Sequence, residues 1–212
     1  NLLGKPMGTY IPIEAPAVAL PDEDYHQEIA KEVQKQLKKI VPGIEKELSV
    51  MIVGLGNRDV TADALGPNVV DNLVITRHMV KEFGKAAYNR ERVPVVSALI
   101  PGVMAKTGME SAEILKGVVK ETKPDVIIVV DALAARSTKR LNRTIQITNT
   151  GIHPGSGVGN HRNSITEESM GIPVIAIGVP TVVDAATIVN DALYNSKTEN
   201  ECVARLVDMT QD

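Results

Sequence analysis

Residues 125–137 read DVIIVVDALAARS, and the fold turns on them. Five apolar residues, Val126 to Val130, run straight into Asp131. A short run that is apolar at every position and rich in β-branched side chains predicts a strand buried on both faces, as in a parallel sheet. On this reading Asp131 sits at the C-terminal end of the strand, where its carboxylate either stops the strand or is presented to something. Upstream, MIVGLGNRDVTADALGP (51–67) follows the same plan, with an apolar run and then Asp63 in the loop after it. Both acids head a local DAL: Asp63-Ala64-Leu65 and Asp131-Ala132-Leu133.

Strand and helix patterns alternate on either side of these two segments. Strands are predicted at SVMIVGLG (49–56), VPVVSALI (93–100), DVIIVVDA (125–132) and GIPVIAIGVP (171–180). TIQITNT (144–150) alternates with period two and reads as an edge or antiparallel strand. Helices are predicted after Asp22 or Asp24 (apolar Ile29, Val33, Leu37, Ile40), over 63–82, over 108–122 and over 184–195. The fold class that follows is α/β, a mostly parallel central sheet with helices on both faces. The organisation is one domain over 1–212, with a Pro-rich extended arm (1–21), the α/β core (22–195) and a polar tail (196–212). The arm carries one strand, GTYIPIE (8–14). The chain starts at Asn1 rather than Met and ends abruptly, which reads as a processed product lacking a continuation.

Composition narrows the function classes. With 43% hydrophobic residues, one Phe, four Tyr and no Trp, the core must be built from Val, Ile, Leu and Ala. Scarce aromatics and a net charge of −3 give neither a base-stacking platform nor a basic footprint, so direct nucleic-acid binding is not expected. The single Cys202 excludes an internal disulfide and fits a reducing, cytoplasmic setting. No apolar run approaches membrane-spanning length.

The motifs point to one rim of the sheet. GLGN (54–57) is not a dinucleotide fingerprint, because Asp59 stands where the third glycine belongs. Its glycines instead let the backbone approach something closely. There is no HExxH, cysteine pair, GxSxG elbow or base near Cys202, so no metal, cofactor or Ser/Cys nucleophile is expected. Asp63 and Asp131 are either helix caps or a catalytic pair. As a pair they follow strand ends at the same rim, where open parallel sheets bind ligands. Two converging carboxylates separate into a proton acceptor and a proton holder, the division needed to activate water against an amide. Such a pair titrates as a unit. Main-chain donors from loops 54–62, 101–108 and 151–160 would position a substrate strand. Those loops include Gly56, Asn57, Gly102, His153, Gly155 and Ser156.

Seven segments together, VGLGN, VTADALGP, DNLVITRH, PGVMAKTGMES, DALAARS, GIHPGSGVGN and GIPVIAIGVPTVVDA, resemble the spore germination proteases of endospore-forming bacteria over residues 50–190. GKPMGTYIPIE is similar to the start of that family's mature domain. The resemblance implies an endopeptidase, made as a zymogen and assembled as a homotetramer, that degrades small acid-soluble spore proteins in the spore core. It implies an aspartic-type mechanism on a non-pepsin fold like the α/β sandwich of hydrogenase maturation endopeptidases, with Asp63 and Asp131 in the motifs that carry the catalytic aspartates. Two rivals stay compatible with the residues. One is a nickel-dependent processing peptidase of the hydrogenase-maturation type, the other a non-catalytic binder of disordered spore proteins.

Overall fold

Six strands form a single sheet in the order β1-β5-β6-β4-β2-β3. They are β1 Tyr10–Glu14, β2 Ser49–Gly54, β3 Val95–Leu99, β4 Val126–Ala135, β5 Thr144–Thr148 and β6 Val174–Val183. The computed structural model describes residues 6–84, 93–154 and 163–196. Strands β3, β2, β4 and β6 are mutually parallel; β5 runs antiparallel to β6, and β1 antiparallel to β5. The molecule is thus α/β, with a mixed sheet that is parallel where the apolar runs are longest. The period-two segment is the antiparallel β5, and it lies inside the sheet because β1 from the N-terminal segment covers its outer side.

Alternation along β4 feeds two cores. Ile127 and Val129 point to one face, where Met51, Val53, Val174 and Leu115 of α5 (Ser111–Thr122) close over them. Val126 and Ile128 point to the other, against Ile147, Ile175 and the apolar stripe of α1 (Glu23–Ile40). Burial on both faces is why β4 needs no polar alternation. Helix α1 obeys its end signals: the Asp22 side chain accepts the Tyr25 N–H at 3.0 Å, Glu23 and Asp24 sit in the first turn, and Lys38 and Lys39 in the last.

Two expectations are corrected. The helix predicted over 63–82 is broken into a 3-10 turn, Thr61–Asp63, and two short helices, α2 (Leu65–Asp71) and α3 (Arg77–Phe83). The break falls on Val74, Ile75 and Thr76, weak helix formers, and Thr76 is captured by edge strand β3. Its N–H donates to the Val96 carbonyl at 3.1 Å, its hydroxyl donates to the Pro94 carbonyl at 2.5 Å, and the Val96 N–H donates to that hydroxyl at 2.9 Å. The exposed edge of the sheet is thereby blunted. Likewise Asp131 does not end its strand, because β4 runs on to Ala135 beside β6. The remaining helices are α4 (Met104–Thr107), α6 (Glu167–Met170) and α7 (Ala185–Ser196). Among the described residues no helix is long and apolar enough to cross a membrane.

Candidate active site

The chain leaves β2 toward β3 on one side of the sheet, and leaves β4 toward β5 on the other. The crevice between the carboxyl ends of β2 and β4 is therefore the switch point at which open α/β sheets bind ligands. Asp63 follows β2 and Asp131 belongs to β4, so the topology brings one acid to each side of that crevice. The β2–β4 ladder stops at Gly54 opposite Val130, one residue before Asp131. Beyond it β4 and β6 continue as a two-stranded ribbon, with Asp131 opposite Gly178 at its base. The turn carrying Asp63 lies against both β4 and β6.

Neither acid is a helix cap. Helix α2 has Ala64 at its N-cap position and no side-chain cap bond. The Asp63 carboxylate instead accepts the Asn57 N–H through Oδ2 at 2.8 Å, and the same N–H reaches the Asp63 carbonyl at 3.1 Å. Gly56 makes this loop possible: at φ +115, a Cβ there would lie 2.0 Å from the Asp63 carbonyl oxygen. The Asn57 N–H, expected to face a substrate, is thus engaged by Asp63 and orients that carboxylate. Asp131 is only 8% exposed, and its Oδ1 accepts the Ala132 N–H at 3.0 Å.

A cleft of about 310 Å³ opens on the Ile127/Val129 face over β1, β5 and β6, and neither Asp63 nor Asp131 lines it. Tyr10, Pro12, Leu133, Arg140, Ile152 and Gly178 contribute to its lining. Leu133 leans so closely over residue 178 that a Cβ at Gly178 would fall 2.4 Å from its Cδ1. The loop after β3 also reaches the rim, since Lys106 of α4 pairs with Asp59. Hydrogen bonding to Lys106 holds the Asp59 carboxyl below its ordinary value. Gly102, at φ +75, turns the chain between β3 and α4.

The glycine-rich segment behaves differently. Strand β5 runs antiparallel to β6, with Thr148 opposite Ala176, so residues 149–151 leave at the rim opposite Asp131. Gly151 then reverses the chain, and Ile152 pairs with Ile165 and returns to line the cleft. His153 is exposed next to that bridge. Gly155 and Ser156 fall outside the described residues. Among the described residues no three His, Cys, Asp or Glu side chains gather as a metal-holding set.

The sequence profile of the family described as Germination protease matches residues 1–196. The chain belongs to the germination protease family. The germination protease of Caldanaerobacter subterraneus subsp. tengcongensis is 54% identical over 191 residues, covering 90% of this chain and 58% of that one. The germination protease of Bacillus velezensis is 50% identical over 195 residues, covering 91% and 52%. The chain spans about half the length of these curated relatives. A solved NiFe hydrogenase maturation protease, HycI of Thermococcus kodakarensis, aligns with 84% of this chain and 99% of its own at 17% identity and a TM-score of 0.37, a likeness too slight to bear on function. Gly178 and Leu133, which pack together beside Asp131, carried no expected role in the sequence. A glycine inside an apolar strand, as in IAIGVP, is the one signal that could have marked a close approach there.

Proposed function

We propose that this chain is the catalytic part of an endopeptidase that acts in spore germination, and that Asp63 and Asp131 activate water against a peptide bond. The observation that carries the reading is the placement of one acid on each side of the β2/β4 crevice. One carboxylate takes a proton from water as the water oxygen bonds to the scissile carbonyl carbon. The other donates a hydrogen bond to the developing oxyanion, and a proton then passes to the leaving amine as the C–N bond breaks. Burial of Asp131 strengthens such interactions, because little water competes for them. The Asn57 N–H holds Asp63 in one orientation, which is what positioning a reactive group requires.

The substrates in this reading are small acid-soluble spore proteins, whose unfolded segments lie in the open cleft between Tyr10, Leu133 and Ile152. The protein is synthesised as a zymogen, works in the spore core as a homotetramer and needs no cofactor. Residues 1–212 form one protease domain within it, and Gly102, His153, Gly155 and Ser156 contact the bound chain. Cleavage of a purified small acid-soluble spore protein is the test, with Asp63→Asn and Asp131→Asn compared with wild type at matched folding. Each variant is expected to lose at least about a thousandfold in kcat. Equal cutting by all three would make the acids structural, and saturable binding without cleavage would make the chain a binder.

A further inference from the structure

The β4–β6 ribbon contains one residue too many on the β6 side. Leu133 pairs with Pro180 and the next residue, Ala134, pairs with Val182, which leaves Thr181 as the extra residue of a β-bulge. A bulge interrupts the ladder and re-aims the side chain it carries, and bulges recur beside active sites for that reason. Here the freed Thr181 hydroxyl donates to the Ala62 carbonyl at 2.6 Å, across 119 positions of sequence. Ala62 is the residue before Asp63 and lies in the same 3-10 turn. The turn's other hydrogen bonds run to Asn57, Val60 and Ala64, all within its own loop.

We infer that Thr181 is a positioning residue for Asp63: its hydroxyl fixes the Asp63 turn against the ribbon that carries Asp131, and so sets the placement of the two acids relative to each other. The inference rests on the proposed roles of Asp63 and Asp131. Local bonds define the shape of the 57–64 loop, and α2 packed on β2 and β4 anchors its far end. The Thr181 hydroxyl adds a direct tie from the strand paired with Asp131 to the turn that carries Asp63. Thr181 is half-buried and its hydroxyl donates to a main-chain carbonyl, so its role is geometric.

The experiment is steady-state cleavage of a purified small acid-soluble spore protein by the full protein. It compares wild type, Thr181→Val and Thr181→Ser, with Asp63→Asn and Asp131→Asn in parallel. Valine keeps the β-branched shape and removes the hydroxyl, while serine keeps the hydroxyl. Thr181→Val is expected to lower kcat by about tenfold to a hundredfold, since misplacement on the order of 1 Å costs that much. KM should stay within about twofold, because binding in the cleft is untouched. Thr181→Ser should restore most of kcat. Wild-type kcat in Thr181→Val, or a loss that serine does not rescue, would overturn the inference. If Thr181→Val fails to fold, Thr181→Ala takes its place against Thr181→Ser under the same criteria. Normal cutting by both asparagine variants would instead remove the aspartate reading, and this inference with it.

Discussion

Gly66→Ala tests the packing that sets the two sides of the site. Gly66 lies in the first turn of α2, where the helix meets the end of the β2–β4 ladder. An added Cβ would sit 2.3 Å from the Leu55 carbonyl oxygen, 2.5 Å from the Leu55 nitrogen and 2.6 Å from the Val130 carbonyl oxygen. All three are backbone atoms, and the last two are joined by a 2.9 Å hydrogen bond, so no side chain can swing aside. Ordinary contact begins at 3.4 Å; the worst contact is short by 3.4 − 2.3 = 1.1 Å, and α2 must retreat by that order. Overpacking of this kind costs about 1–3 kcal/mol. Replacing a helical glycine by alanine returns about 0.5–1 kcal/mol. With all three contacts on backbone atoms the overpacking cost lies at the upper end, about 2–3 kcal/mol. The net loss is about 1–2.5 kcal/mol and lowers Tm by about 2–10 °C in a chain of this size. Because Asp63 lies just before α2, its turn moves with the helix, and a shift of about 1 Å lowers kcat by up to about a hundredfold. Thermal unfolding and cleavage kinetics on the same preparation read both effects. A Tm at or above wild type would refute the steric argument. A lowered Tm with unchanged kcat would refute the link from α2 to Asp63.

Two further outcomes follow from the same coordinates. Gly117, in the middle of α5, has nothing within 4 Å of its would-be Cβ, so Gly117→Ala should stabilise by about 0.5–1 kcal/mol. A fall in its Tm would show that α5 packs differently from the structure. Asp191 of α7 accepts from the Thr138 hydroxyl at 2.7 Å, the Thr138 N–H at 2.6 Å and the Ser137 hydroxyl at 3.1 Å. These bonds, the Thr138 hydroxyl's first, hold its carboxyl below the ordinary value of 3.8. A depressed carboxyl stabilises the fold above its unfolded pKa, and that contribution disappears as pH falls through the folded one. The Tm gap between wild type and Asp191→Ala should therefore be full at neutral pH and close only below 3.8. A gap that persists unchanged in acid would refute the carboxylate's role.

The fold class was legible in the sequence because it rests on local pattern. Val126 to Val130 is apolar at every position, α1 carries its own cap and charge signals, and β5 alternates with period two; each property survives without knowledge of neighbours. The two acids could also be singled out, since each follows an apolar run and heads a DAL motif. Their surroundings were not legible, because those depend on which strands become neighbours. That β4 outruns β2 and continues past Asp131 is a consequence of pairing with β6, a strand that begins more than 40 residues later. The helix expected over 63–82 breaks because Thr76 finds unpaired backbone groups on β3, and no propensity records a distant edge. The Asn57 N–H looked available for a ligand until the loop closed on Asp63. Thr181 carries no local sign at all: it becomes a bulge, and a donor to Ala62, only when β6 is laid against β4. Hydrophobic periodicity is a one-dimensional property and fixes which segments are strands and helices. Register, bulges and the approach of loops across the sheet are set by packing between distant segments, and that packing decided the geometry around Asp63 and Asp131.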